Sequence, residues 1–387
     1  MTTKKILITG ARSLFALDLA RRFHEGGHEV YTAETSLHHV CRFSNAVTKN
    51  FRVPSPRFHS QEYIHKLVTI CKENHIDTVI PTFEETFCLS KGIELFPEST
   101  TVFCPDYFTL DHLHNKWLFN QKIKEHGFPT PETVLIKTEE DLHHLPFNVP
   151  YILKPVYSRA AQKIIKVTSK KPPKLSMDPL NPYVAQVFLE GRIFCSYSIA
   201  QKGRLAGHAV YPLDISIEGN SCLNFTAVDH PQIEAWVKDF IQKENYSGQL
   251  AFDFIQTSDD MIYAIECNPR GTSGLHLFQR EDQLPLAFLG SEKRCVKPTI
   301  GYKKQIAWGI ILFGWKNQQF IKFLKRFFTI PDVILKKDDA KPFLHQFLLL
   351  FVYLYRCLKL RANLPSMFTF DTDWNGQAKA DFDQCQG

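Results

Sequence analysis

The chain has 387 residues, enough for two or three domains with sizeable cores. Its 46 Lys and Arg against 40 Asp and Glu leave a net charge of +6, which argues against a dedicated nucleic-acid binder and permits anionic substrates or a membrane surface. Ten scattered cysteines, with no Cys-x-x-Cys pair and no zinc-like spacing, read as reduced thiols of an intracellular protein.

Lys4-Lys5 leads straight into the apolar run Ile6-Leu7-Ile8, so no signal peptide is expected. A turn at Gly10-Ala11-Arg12-Ser13, helically spaced apolar residues over 14–23 and a return through Gly26-Gly27 to Val30-Tyr31 predict the βαβ opening of a doubly wound sheet. Two uses of that turn are open. An NAD(P)-dependent oxidoreductase would use Gly10 at the turn and Glu34 as the ribose acid, whereas a cofactor-free Rossmann-like domain needs neither. One glycine where a dinucleotide site has three, with Ser13, Leu14 and Phe15 in the room of the pyrophosphate, favours the second. A later strand over 77–81 ends at Thr82-Phe83-Glu84-Glu85. Ligands of open sheets lie beyond the strands' carboxyl ends, which places Glu84 and Glu85 to hold an amine or a second cation; as first-turn acids they would equally stabilise the next helix dipole. Arg12 is a clamp for a substrate anion or a surface arginine, the surface reading being favoured.

From residue 111 a capped helix is predicted, closed by Gly127, Pro129 and Pro131. Lys116 on it reads, by itself, as a solvated lysine. Lys154, by contrast, stands in the apolar strand Pro150-Tyr151-Ile152-Leu153, where a lysine needs an anionic partner or a lowered pKa. Amphipathic strands follow over 194–200 and 205–211, then a helix over 231–245 with Ile233, Val237, Phe240 and Ile241 inward.

Residues 249–274 hold the densest chemistry. Strands over 250–255 and 262–266 flank a polar turn, predicting a hairpin. With an even loop, Gln256 pairs with Met261 and Asp253 lies opposite Ala264, so that Asp253, Glu266 and Asn268 share one face with the two acids as diagonal neighbours. Convergent carboxylates beside apolar neighbours repel each other unless a cation lies between them, and two carboxylates with one amide suit a hard cation such as Mg²⁺. Ordinary surface acids on a hairpin are the alternative. Past Pro269, Arg270 offers a bidentate anion clamp. Gly271-Thr272-Ser273-Gly274 is either a phosphate cradle or an ordinary capped turn.

Glu266-Cys267-Asn268-Pro269-Arg270, preceded by Phe252-Asp253-Phe254, resembles the metal-binding strand pair of the ATP-grasp superfamily, closest to the branch of the carbamoyl-phosphate synthetase large subunit and biotin carboxylase. The resemblance covers 111–275, and 1–110 more weakly resembles the pre-ATP-grasp domain. It implies an α/β (α+β grasp) chain with a Rossmann-like pre-ATP-grasp domain over 1–110 and a two-lobed ATP-grasp domain over 111–300, its small lobe at about 111–185; the apolar runs of the remainder predict a mostly helical C-terminal extension over 301–387. The resemblance further implies ATP and two Mg²⁺ ions, with Mn²⁺ as an alternative, held by Asp253, Glu266 and Asn268. Lys116 and Lys154 would contact phosphate, Ser158 and Lys163 would supply donors from the phosphate loop, and Gln186, Phe188 and Leu189 would form the adenine hinge. Glu190 stands nearest the ribose acid of relatives. Arg270 and Lys154 are the implied catalytic residues of an ATP-dependent ligase that makes an acylphosphate from a carboxylate and passes it to an amine or similar nucleophile. One departure stands out: residues 156–163 contain no glycine where relatives carry a glycine-rich loop, which motivates an alternative, a nucleotide-binding sensor or scaffold without turnover.

The C-terminal region lies outside the resemblance. Residues 306–315 are apolar and 320–328 form a basic aromatic helix candidate. The apolar run 343–357 spans only about 22 Å as a helix, short of the roughly 30 Å hydrocarbon core. It is expected to be buried against the preceding domain, or else to form a homodimer interface or lie on a membrane. The expected location is cytoplasmic, with membrane association as the alternative, and no nucleic-acid partner. The polar tail from 371 is expected to be loosely held apart from Trp374.

Overall fold

The computed structural model describes residues 2–158, 164–169, 171–213, 216–217, 221–291, 293–310, 327–360, 369–372 and 374. The chain begins with β1 (Lys5–Thr9), α1 (Leu14–Glu25), β2 (Glu29–Glu34), β3 (Lys49–Arg52), α2 (Ser60–Asn74), β4 (Thr78–Ile80), α3 (Glu85–Ser90) and β5 (Thr101–Val102). Its sheet runs β3-β2-β1-β4-β5 with every pair parallel, which agrees with the doubly wound sheet expected from the βαβ opening. Ser13 starts α1 by accepting the Ala16 N–H, and Phe15, Leu19 and Phe23 go inward.

The predicted helix from residue 111 is two helices, α4 (Tyr107–His114) and α5 (Lys116–Glu125). Asn115 breaks them with ψ 111° and caps α5 through its side chain, accepting from Trp117 and Leu118 N–H. An antiparallel sheet follows, ordered β6-β9-β7-β8, from β6 (Thr133–Ile136), β7 (Tyr151–Pro155), β8 (Ile165–Val167) and β9 (Tyr183–Val187).

A second antiparallel layer contains β10 (Arg192–Gln201) and β11 (Arg204–Pro212), followed by a short ribbon of β12 (Ser216–Ile217) with β13 (Ser221–Cys222) and by β14 (Asn224–Thr226). After α6 (Pro231–Lys243), β15 (Gly248–Gln256) and β16 (Ile262–Asn268) complete a four-stranded sheet ordered β11-β10-β15-β16. Trp236, Val237, Phe240 and Ile241 of α6 pack on Phe252 and Phe254. Because strand side chains alternate, this aromatic core directs Asp253 to the opposite face.

The N-terminal sheet and this layer share one core: Phe15, Leu19 and Phe23 of α1 lie in the same cluster as Tyr197, Ile199, Ala209, Leu275 and Phe278. Gln249 couples the two units, donating to Pro81 O and accepting from Tyr197 OH, both at 2.8 Å.

Among the described C-terminal residues, a short helix (Lys341–Leu344) leads into a longer one (Gln346–Leu360). The longer helix is neither wholly buried nor free. Leu349 and Tyr353 join the shared core, while Phe347, Phe351 and Leu358 face solvent. No described helix is long and apolar enough to cross a membrane. Half of 306–315 and most of the candidate helix 320–328 lie outside the described residues.

Candidate active site

The hairpin differs from its predicted register, and the difference explains the site. The loop between β15 and β16 has five residues, 257–261, with Gln256 paired to Ile262 and Phe254 to Ala264. Continued regularly, this odd loop would set Asp253 opposite Ile265 and send Glu266 to the other face. A bulge at Ile265 inserts the missing step, so Asp253 lies directly opposite Glu266, and Asn268, two residues on, shares their face. The face is the expected one; the acids are direct rather than diagonal partners. The bulge also turns the Ile265 carbonyl to the Lys154 ammonium, 2.9 Å away.

Lys154 comes from β7, the opposing sheet, and its ammonium also donates to Gln186 Oε1 at 3.0 Å. Burial pushes its pKa down to about 8; Lys116 pushes the same way, while Glu266 and Asp253 oppose. Lys116 is buried, not solvated. Its position at the start of α5 aims the ammonium inward, 3.4 Å from Glu266 Oε1 and 3.1 Å from Ser158 O. Burial disfavours the ionised form of both acids, with opposite net results. Asp253 rises to about 6, through burial and the adjacent Glu266; Glu266 is held below its ordinary value because Lys116 and Lys154 outweigh burial. The pair is crowded by protein, yet Glu266 keeps 18% side-chain exposure.

Two acids driven together with one amide on a common, partly open face fit a hard divalent cation, as the donor set requires. Arg270 stands beside them. Its Nη2 donates to Asn268 Oδ1 at 3.0 Å and its Nε lies 3.6 Å from Glu84 Oε1. A Cβ on Gly271 would meet the Phe15 ring at 2.5 Å, and one on Gly274 would meet Tyr197 Cβ at 2.4 Å. Tight packing therefore accounts for both glycines.

At the hinge, Gln186 is buried and donates through Nε2 to Thr133 Oγ1. Phe188 N–H donates to Pro150 O, and Lys166 lies over the Phe188 ring, 3.4 Å from its centroid. Leu189 is half-buried and Glu190 is exposed. Ser158 joins the site through its backbone carbonyl, whereas Lys163 lies outside the described residues.

The N-terminal residues depart furthest from expectation. Arg12 is 4% exposed rather than on the surface; Nε and Nη2 donate to Glu34, and Nη1 and Nη2 donate to Asp371. Glu34 is thus consumed by Arg12. Gly10, at φ +65°, is closed in by Thr82 and Glu85, against which a Cβ would collide at 2.4 and 3.0 Å. Neither residue is left for a dinucleotide, which overturns the oxidoreductase alternative. Glu85 accepts from Thr9 Oγ1 and from the Thr82 and Phe83 N–H groups, a structural role. Glu84, also buried, faces Arg270. Sequence reasoning missed Asp371, whose partner is 359 residues away; only the chain fold brings them together.

Residues 113–274 match the family described as the ATP-grasp domain. No curated protein matches the sequence significantly. Among solved structures, N5-carboxyaminoimidazole synthetase from Staphylococcus aureus complexed with ADP aligns with TM-score 0.63 at 14% identity, covering 84% of this chain and 87% of that one. The biotin carboxylase domain of Hydrogenobacter thermophilus 2-oxoglutarate carboxylase gives 0.60 at 13%, covering 78% and 74%. L-amino acid ligase from Bacillus licheniformis gives 0.56 at 15%, covering 74% and 75%. At these identities the likeness concerns the fold. Residues 113–274, then, form a domain that matches the ATP-grasp family, set in a chain whose fold is similar to those three structures.

Proposed function

We propose that the protein is an ATP-dependent ligase that phosphorylates a substrate carboxylate and passes the acyl group to an amine or similar nucleophile. One observation carries this reading: Asp253 and Glu266 face each other while lysines from two different elements, Lys116 and Lys154, converge on them. The structures of relatives with bound ADP and with its magnesium salt support it. Asp253, Glu266 and Asn268 would hold Mg²⁺, which when bound neutralises phosphate charge; a second ion and Mn²⁺ in its place belong to the same proposal. Lys154 and Lys116 hold the polyphosphate between the sheets, and Gln186 to Leu189 line the adenine end. Arg270 stabilises charge that develops on the transferred phosphoryl group and the carboxylate oxygen. The domain division at about 110 and 300 is part of this reading.

The test is ADP release by purified protein with Mg-ATP against amino acids, amines and fatty acids. Turnover is expected with at least one mixture and is expected to vanish in Asp253→Asn and Glu266→Gln. No release above background with any mixture removes the ligase reading. Mg-ATP binding without turnover would favour the sensor alternative, which the glycine-free loop motivates.

A second observation concerns location. Leu344, Phe347, Phe351 and Leu358 form an exposed apolar stripe, 53–81% accessible. From Lys341 to Arg361 the sequence has four basic residues and no acid. We infer that this stripe rests on an anionic lipid surface. Co-sedimentation with phosphatidylglycerol vesicles is expected, with loss in Phe351→Glu and in high salt. Absence of binding together with a dimer disrupted by Phe351→Glu would assign the stripe to a second copy instead.

A further inference from the structure

The carboxyl ends of β1, β2 and β4, where an open α/β sheet ordinarily receives its ligand, are covered by the chain's own residues 369–372 and 374. Asp371 presents both carboxylate oxygens to Arg12, at 2.7 and 2.9 Å. Its backbone carbonyl accepts from Ser55 Oγ and Arg57 N–H, and Arg57 Nη1 donates to Phe370 O. Trp374 is buried, stacked on Phe87 at 5.3 Å and 5°, with the Tyr107 ring at its edge and Lys91 over its face. So many anchors make this a fixed wall.

That wall reaches the candidate active site through one side chain. Trp374 N–H donates to Glu84 Oε2 at 2.7 Å, and the other oxygen, Oε1, is 3.6 Å from Arg270 Nε. Arg270 in turn donates to Asn268 Oδ1. A carboxylate pinned on one oxygen by a backbone amide has a fixed orientation, and so fixes the guanidinium facing the other oxygen.

We propose that Glu84 is the positioning residue of Arg270 and that the Trp374 amide, beside the anchored residues 370–372, holds Glu84 in place, so the C-terminal segment completes the active site from the far end of the chain. The inference rests on the role given above to Arg270. Its catalytic consequence is a loss of turnover with little loss of nucleotide binding, because Glu84 acts through Arg270, whereas Lys116 and Lys154 hold phosphate.

The test compares four full-length variants by Mg-ATP-dependent ADP release. Trp374→Ala removes the ring and keeps the amide N–H; Trp374→Pro removes both. Glu84→Gln keeps an acceptor for the amide and loses the charge; Glu84→Ala loses both. Glu84→Ala and Trp374→Pro are expected to lower kcat by roughly tenfold or more with KM for ATP within about twofold. Glu84→Gln should fall between Glu84→Ala and the unaltered protein, and Trp374→Ala should retain clearly more activity than Trp374→Pro. Equal kcat for Trp374→Pro and Trp374→Ala, or a Glu84→Ala kcat within twofold of the unaltered protein, overturns the inference. Should Glu84→Ala fail to fold, the two Trp374 variants decide. If the unaltered protein releases no ADP at all, the ligase reading fails separately, and hydrogen exchange judges the tether: Glu84→Gln should leave the Thr372 and Trp374 amides protected, Trp374→Ala should leave the Thr372 amide protected, and rapid exchange of both amides in the unaltered protein overturns it.

Discussion

Asp253 and Glu266 face each other across a bulge, and the fold tolerates this at a cost that a cation removes. Asp253→Asn is therefore expected to raise the melting temperature in the absence of Mg²⁺ and to abolish the further rise on adding Mg²⁺, both read by thermal unfolding. Lys154 makes a pH prediction. Its ammonium, with a pKa pushed to about 8 by burial, loses its proton above that value in the free protein, so ATP should bind more weakly at pH 9 than at pH 7. Calorimetry should show that slope flattened in Lys154→Met. Glu34 makes another. Burial opposes its ionisation, but Arg12 outweighs burial and holds the pKa at about 2 against an ordinary 4.5. Between these values the unfolded chain binds more protons than the folded one, so stability is present above about pH 4.5 and is lost as pH falls toward 2. Denaturant titrations at pH 6 and pH 3 should show this loss, and Glu34→Gln should be weaker at pH 6 with a smaller drop to pH 3.

The hairpin shows what an element's sequence can and cannot specify. Alternation of Phe252, Asp253 and Phe254 was enough to assign faces, because α6 demands the two rings on one side. The register was not legible: a four-residue loop and a five-residue loop with a bulge at Ile265 put the same three side chains on one face. Nor was the break at Asn115, where helical periodicity runs on through a residue that instead caps the next helix. Lys116 was misjudged for the same reason, since its inward direction follows from the cap rather than from its neighbours in sequence. The turn after Arg270 gives an element-scale prediction. Gly271→Ala would push a methyl group into Phe15 and should destabilise by about 1–3 kcal/mol. Phe15→Leu should restore part of that loss in the double mutant, a coupling that a denaturant cycle would measure.

At the scale of the whole molecule, a doubly wound sheet followed by a two-lobed grasp could be read from strand patterning and the motif near residue 266, but not the order of the strands within each sheet. What joins them could not. Arg12 with Asp371, Glu84 with Trp374 and Gln249 with Pro81 are pairings between segments far apart in the chain, and no local pattern announces them. Gln249 and the common core weld the N-terminal sheet to the layer that carries the acids. The sheet of β6 to β9 is outside that weld, and the bond from Lys154 to Ile265 O spans the gap. This gives Lys154 a mechanical meaning beyond its charge. It bridges two sheets that share no core: were the upper sheet to swing away to admit a nucleotide, this contact would have to part, and an arriving phosphate would offer the ammonium a replacement.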